Sequence, residues 1–155
     1  MAETADLSPT IVEALYCEAL VLADEARAAF DLSGRLTKAS VDEDLARIAL
    51  SCEALRTTTR MMHAIAWLLN QRAYFAGELS EFQLRRHGRL PPRQPEPGDD
   101  QLALLGPELE DLIERTRRFY ARIERLDRAW RERFTMHPAA IHRLRERLGS
   151  AVAAL

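Results

Sequence analysis

The sequence predicts an all-α protein: an up-down-up three-helix bundle followed by a short C-terminal amphipathic helix. Three observations support this prediction. Apolar residues recur at three- and four-residue steps through long segments. Prolines and glycines stand mainly at the ends of those segments. No segment alternates apolar and polar residues as a strand does. At 155 residues, the chain is most economically a single domain, residues 1–155, with its core in 8–134.

The first two helices are predicted from their caps and their periodicity. Helix one begins at Ser8-Pro9, a serine cap followed by proline at the first helical position, and Gly34 offers its end. Helix two begins after Ser40, with Glu43 at capping-box spacing, and is expected to fray toward residue 86. We predict that its main apolar stripe faces the core. This stripe consists of Leu45, Ile48, Cys52, Leu55, Thr59, Met62, Ala66, Leu69, Ala73 and Ala76.

A second apolar stripe brings the apolar part of helix two to roughly 240° of its circumference, so two neighbouring helices are expected to cover it. The remaining sector is polar and is predicted to face water. Two large aromatic residues also fall in this sector, among arginines, and Trp, Tyr and Arg are common at binding hot spots. The candidate partner-binding residues are therefore Arg60, His63, Trp67 and Tyr74. Three alternatives would also account for the aromatic residues in this sector: coverage by the proline-rich loop, coverage by the last helix, and burial in a symmetric dimer.

The second half of the chain consists of a loop and two helices. Residues 87–100 hold four of the seven prolines and two of the six glycines, which indicates a loop. Helix three opens at Gly106-Pro107, and its apolar seam is Leu109, Leu112, Thr116, Phe119, Ile123, Leu126 and Trp130. Eight arginines between positions 115 and 133 are balanced by seven acids between 108 and 132, so we predict a solvated charged face. The predicted i,i+4 ion pairs are Asp111–Arg115, Glu114–Arg118, Glu124–Arg128 and Asp127–Arg131.

The last helix is predicted to begin at Pro138, within a C-terminal segment of residues 136–155. Its apolar face consists of Ile141, Leu144, Leu148, Val152 and Leu155. A helix this short is marginal alone in water, so it is expected to dock on another surface. The bundle itself, another protein and a membrane surface remain the three alternatives.

Composition excludes several classes of function. The net charge is −2 and the isoelectric point is near 6.1, which gives no electrostatic basis for binding nucleic acid or an anionic membrane. No segment approaches the roughly 18 uncharged apolar residues of a membrane span, and the acidic start is not a signal peptide. Cys17 and Cys52 lie in apolar helical patterns, which predicts reduced core thiols and a cytoplasmic location.

The residue patterns that carry catalysis or bind metals are missing from the sequence. No glutamate is followed by histidine three residues later, and His137 and His142 do not share a helix face. A glycine-rich phosphate loop and a G-x-S-x-G elbow are also missing. We therefore predict no enzyme, no metal and no cofactor. Two rival hypotheses are a DNA-associated transcriptional regulator using the arginine-rich third helix, and a small-molecule or redox protein using Cys17, Cys52, Met61 and Met62.

The segment "SCEALRTTTRMMHAIAWLLNQRA", residues 51–73, resembles the central helix of a known family. That family is the regulator of CtrA degradation and its alphaproteobacterial relatives, long classed as a domain of unknown function. The matching positions are Leu55, Arg56, Thr58, Thr59, Arg60, Met62, Ala66, Trp67, Leu68, Leu69, Gln71, Arg72 and Ala73. Residues 16–31, "YCEALVLADEARAAFD", are similar to the family's first helix, and the resemblance covers residues 10–134.

This resemblance implies a three-helix bundle, dimeric and without catalytic activity. It implies an adaptor that helps the ClpXP protease degrade cell-cycle regulators, together with a response-regulator-like adaptor and a client regulator as protein partners. The resemblance assigns no individual binding residues. The loop at 87–100 and the segment after Pro138 match least.

Overall fold

A computed structural model describes residues 7–36, 41–135 and 138–153, with side chains over 7–34, 44–132 and 142–153. These residues form helices and no strand, which confirms the all-α class. The helices are α1 (Pro9–Leu36), α2 (Val41–Phe75), α3 (Glu81–His87), α4 (Asp99–Ala103), α5 (Pro107–Thr135) and α6 (Pro138–Ala153). The predicted capping box of Ser40 and Glu43 lies outside the described side chains.

The long helices α1, α2 and α5 contact one another and share one hydrophobic core. The predicted seam of α5 faces this core. On α1, Leu15, Ala19, Leu22 and Ala26 recur at three- and four-residue steps and are buried in it, whereas Ile11 is 37% exposed. Removing this apolar surface from water is the main stabilising contribution to the fold. The core residues are Val12, Leu15, Ala19, Leu22, Ala26, Met61, Ala64, Trp67, Leu68, Leu112, Phe119, Tyr120 and Ile123.

Helix α2 ends at Phe75 and does not fray onward as predicted. Gly77, at φ 78°, donates its N–H to the Tyr74 carbonyl, and the Glu78 N–H bonds to the Ala73 carbonyl. These two bonds form a Schellman motif, whose left-handed residue favours glycine. Ser80 then begins α3 with a capping box, because its hydroxyl accepts from the Gln83 N–H and the Gln83 side chain accepts from the Ser80 N–H.

The proline-rich segment is a loop, as predicted, but it is bounded by short helices on both sides. It runs from Gly88 to Gly98, after which α4 begins at Asp99. Leu90 packs against the bundle core, and Arg93 donates two hydrogen bonds to the Glu124 carboxylate of α5, at 2.7 and 2.9 Å. The loop therefore lies across the bundle and is attached to α5.

The orientation of α2 is opposite to the predicted one. The stripe predicted to face the core, from Leu45 to Ala76, points away from it, and we call it the outer stripe. Its large side chains are 43–69% exposed: Leu45, Ile48, Leu55, Met62 and Leu69. The sector predicted to face water instead points inward, with Glu53, Trp67 and Gln71 all buried. Both sides of α2 are apolar, so hydrophobicity alone did not decide which one packs inward.

Helix α6 does not bury its apolar face within the described part of the chain. Residues 142–153 are all exposed, including Leu144, Leu148 and Val152. The other two predicted face positions, Ile141 and Leu155, lie outside the described side chains. None of the helices formed by the described residues has the length and hydropathy that crossing a bilayer requires.

The charged face of α5 is solvated, but its ion pairs differ from the predicted ones. Arg115 bonds to Glu25 of α1 at 2.8 Å, and Arg122 bonds to Glu18 of α1 at 3.0 Å. Two predicted i,i+4 pairs are present, Glu114–Arg118 and Asp127–Arg131. Several α5 arginines therefore connect neighbouring helices.

Candidate functional site

A cavity of about 60 Å³ lies between α2, α5 and the proline-rich loop. Helix α2 contributes Arg56, Arg60 and His63, and α5 contributes Arg117 and Tyr120. The loop covers it with residues 92–96, which include Arg93 and Glu96. The cavity is lined mainly by cationic and polar side chains, and we call it the loop cavity.

Three of the four arginines in the loop cavity are paired with a carboxylate. Arg56 lies 3.4 Å from the buried Glu53, one turn away on the same helix. Arg93 is bonded to Glu124, as described above. The third pair joins the loop to α5, with Arg117 Nη2 2.6 Å from Glu96 Oε2. Each of these carboxylates is therefore already engaged by one arginine.

Arg60 is the exception. Its Nη1 donates to Thr116 Oγ1 at 2.9 Å, and Thr116 in turn donates to the Ile113 carbonyl at 2.7 Å. Among the described residues, no carboxylate lies within ion-pair distance of Arg60. Burial lowers the pKa of Arg60, because desolvation disfavours the charged guanidinium. This cation is thus half-buried and has one neutral hydroxyl as its hydrogen-bond partner.

The same cavity wall contains a buried phenol and an orphaned donor. Tyr120 is buried, and burial followed by the nearby Glu124 charge raises its pKa. Arg117 Nε is buried and has no hydrogen-bond partner among the described residues. Buried polar atoms in folded proteins usually have a partner. Arg60 and Arg117 both line this cavity, where four arginines meet the three carboxylates of Glu53, Glu96 and Glu124.

The prediction that Trp67 belongs to an exposed patch is wrong. Trp67 is 2% exposed and packs in the shared core. Its Nε1 donates to Asp127 Oδ1 of α5 at 2.9 Å, and Asp127 is also held by Arg131. The physical reason is that this ring buries a large apolar area while its N–H still finds an acceptor.

The four predicted site residues do not form one surface. Arg60 and His63 share the loop cavity, whereas Trp67 lies inside the bundle. Tyr74 is half-buried near the end of α2, with its ring edge-on to Phe75 at 5.3 Å between centroids. Tyr74 lies fourteen positions after Arg60 along the helix, a distance of roughly 21 Å at 1.5 Å per residue.

Sequence reasoning missed the loop cavity because its members come from distant segments. Arg117 was grouped with the solvated arginines of helix three, and Arg93 and Glu96 were treated only as part of a loop. One signal was available: the loop is long, and loops of that length are often functional. The spacing of charges within each helix did not reveal that α5 and the loop meet at Arg60.

The two cysteines also depart from their prediction as core thiols. Cys17 on α1 and Cys52 on α2 are both free and exposed. Cys52 falls on the outer stripe, so the reversed orientation of α2 explains its exposure. Within the described residues, no group of three or more His, Cys, Asp or Glu side chains is placed to hold a metal ion.

Comparison with curated proteins and with solved structures finds no match to this chain. One family model does match, over residues 3–152, and its description is "Protein of unknown function (DUF1465)". The matched range contains all three long helices, the loop and nearly all of α6. The chain therefore belongs to the DUF1465 family.

Proposed function

We propose that this protein is a non-enzymatic adaptor that acts through protein–protein contacts in the cytoplasm. Its role would be that of the regulator of CtrA degradation, assisting ClpXP-mediated proteolysis of cell-cycle regulators. The resemblance of residues 51–73 suggests the role, and the observation that carries the proposal is the exposed outer stripe of α2. Large exposed apolar patches commonly mark interaction sites.

The outer stripe has the spacing of a helix–helix interface. Its positions follow alternating steps of three and four residues from Leu45 to Ala76, the heptad pattern of coiled-coil seams. Ile48, Leu55, Met62 and Leu69 occur every seven residues, with smaller residues between them. This pattern favours an α-helix as the partner, because large side chains on one helix fit the gaps beside small ones on the other.

A second copy of the chain is the occupant we propose for the outer stripe. In a two-fold dimer the outer stripes of the two copies face each other. The outer stripe contains no charged residue, so this contact buries no charge against a like charge. Antiparallel copies would set large residues against Cys52, Thr59 and Ala66. A strip roughly 46 Å long and 10 Å wide presents on the order of 500 Å² per copy, at the small end of specific interfaces.

The assembly is tested by sedimentation equilibrium with a double variant, Leu55→Glu with Met62→Glu. The protein should sediment as a dimer, and the variant as a folded monomer, because two buried carboxylates per copy would be desolvated without partners. The matched control is Val21→Glu, which places a carboxylate at a 60% exposed apolar position on α1 and should leave the dimer intact. A monomeric wild-type protein, or a variant that remains dimeric, would contradict the dimer.

The adaptor role is tested in a reconstituted degradation reaction with the ClpXP protease, a response-regulator-like adaptor and a client regulator. Adding the protein should accelerate loss of the client without changing ATP hydrolysis by the unfoldase. Removing residues 136–155 should reduce this acceleration, because Leu144, Leu148 and Val152 present an exposed apolar face for a partner. An unchanged rate of client loss at saturating protein would refute the adaptor role.

A nucleic-acid role is not part of this proposal. Two of the eight α5 arginines are engaged by carboxylates of α1, with Arg115 on Glu25 and Arg122 on Glu18. Duplex DNA binding measured across a salt series separates the two functions, because phosphate-driven affinity falls steeply as salt rises. Affinity with that steep salt slope would favour the rival DNA-associated regulator.

A further inference from the structure

The charge balance of the loop cavity points to an anionic ligand. Four arginines line the cavity, and the carboxylates of Glu53, Glu96 and Glu124 each engage one of them. Arg60 remains: among the described residues its hydrogen bond goes to Thr116, and the charges of Glu53 and Glu96 act on it only from beyond ion-pair distance. A half-buried cation with no directly bonded anion is incompletely compensated, so an anion bound beside it would be favoured.

We propose that the loop cavity binds a single phosphate group, with Arg60 and Arg117 as its main ligands. Guanidinium groups recognise phosphate through directed, charge-assisted hydrogen bonds. Two arginines on different helices approach from different directions, which suits a tetrahedral anion better than a planar carboxylate. The proposal stands on the cavity and does not depend on the adaptor function.

The size of the cavity restricts the ligand class. A volume of about 60 Å³ accommodates one phosphate group and excludes a nucleobase with its sugar. A larger phosphorylated molecule would place its phosphate inside and the rest of its structure outside the loop. The ligand is therefore either a phosphate monoester or free phosphate, which share the phosphate group, and the experiment must distinguish the two.

Glu96 is positioned as an internal competitor for this phosphate. Its carboxylate lies 2.6 Å from Arg117, and it belongs to the loop that covers the cavity. A phosphate taking Arg117 would displace Glu96, while the separate Arg93–Glu124 pair would keep the loop attached to α5. Removing the Glu96 charge should consequently strengthen phosphate binding.

The test is titration of the full-length protein with inorganic phosphate at constant ionic strength, followed by calorimetry and by ³¹P NMR. We expect saturable binding at millimolar concentration. Arg60→Met should weaken it by roughly tenfold or more, and Glu96→Gln should tighten it. The matched control is Arg27→Gln, an exposed arginine paired with Asp24 on α1, which should leave the affinity unchanged.

Two further measurements keep the test decisive. Circular dichroism establishes whether Arg60→Met is folded; if it is not, Arg60→Lys replaces it and should still weaken binding, because the planar fork is lost. A phosphoserine peptide is titrated beside inorganic phosphate: tighter binding of the peptide identifies a phosphate monoester, and equal or weaker binding identifies free phosphate. Absence of phosphate binding, or binding unchanged in both Arg60→Met and Glu96→Gln, would overturn the proposal.

Discussion

Replacing Trp67 by alanine should lower the stability of the bundle and should not act by weakening an association between proteins. The ring is 2% exposed, lies in the core shared by α1, α2 and α5, and bonds to Asp127. Deleting a fully buried Trp side chain typically costs about 3–5 kcal/mol of unfolding free energy. Because small domains have roughly 5–15 kcal/mol in total, Trp67→Ala is expected to remove a large part of it.

The hydrogen bond alone is measured with Trp67→Phe, which retains an aromatic ring and removes the indole N–H. A hydrogen bond to a charged group contributes about 1.5–3 kcal/mol. Asp127 retains its two hydrogen bonds to Arg131, at 3.0 and 3.1 Å, so its carboxylate is not left unpaired. The decrease in unfolding free energy should therefore lie near the lower end of that range, with a small further decrease because phenylalanine is smaller than tryptophan.

Urea denaturation followed by far-ultraviolet circular dichroism, at one fixed protein concentration, measures both variants. The control is Phe82→Ala, because Phe82 is 70% exposed on α3 and its loss should change the unfolding free energy by about 0.5 kcal/mol or less. If Trp67→Ala costs less than about 1 kcal/mol, or dissociates subunits while leaving the denaturation midpoint unchanged, the ring is not part of the core.

Three smaller perturbations isolate local features. Gly106→Ala should lower the unfolding free energy by about 1–2 kcal/mol, because Gly106 has a φ of 86°, which alanine adopts only with strain. Gly34→Ala, inside α1, should raise the unfolding free energy by about 0.5–1 kcal/mol. Thermal unfolding of the two variants measures both changes. Ser80→Ala should lower the unfolding free energy by about 1 kcal/mol and raise amide exchange in α3. The hydroxyl that accepts from the Gln83 N–H is lost, whereas the backbone N–H at position 80 can still donate to the Gln83 side chain. Burial raises the pKa of Tyr120 above 10, so this phenol ionises in the unfolded chain first and the stability of the folded protein falls as the pH rises past 10. Tyr120→Phe should therefore lose less stability than the wild-type protein in alkaline denaturation curves. Identical curves for the two proteins would contradict this expectation.

Periodicity and punctuation predicted the helices well. Ser8-Pro9 and Gly106-Pro107 mark the starts of α1 and α5, and the seam from Leu109 to Trp130 faces the core. These features are local, since caps and 3.6-residue periodicity act within a few turns of the chain. The predicted fraying of helix two toward residue 86 does not occur, because Gly77 ends α2 and Ser80 caps the start of α3.

The orientation of α2 could not be obtained from hydrophobicity. The outer stripe contains more large aliphatic residues than the inner face, which includes Glu53, Thr57 and Gln71 among its buried positions. Packing inward depends on partners in other helices, here Asp127 for Trp67 and Thr116 for Arg60. The two residues of each pair are about 60 positions apart in sequence, so a helical wheel of α2 cannot show these contacts.

The loop cavity was beyond prediction for a related reason. Its chemistry depends on which arginine lacks a carboxylate, and that depends on how all three carboxylates are shared among α2, α5 and the loop. Glu124, for example, stands four residues before Arg128 and was assigned to it, yet it bonds to Arg93 of the loop. Charge spacing along one helix gives candidate pairs, whereas the fold decides among them.

Both native cysteines can be labelled with thiol-reactive reagents, because both are exposed. Cys17 and Cys52 lie on different long helices, and both are accessible. Spin labels attached there would report the α1–α2 separation by pulsed electron resonance without any engineered residue. If two copies meet along α2, Cys52 lies in their contact and should react with a thiol reagent more slowly in the dimer than after dilution to the monomer.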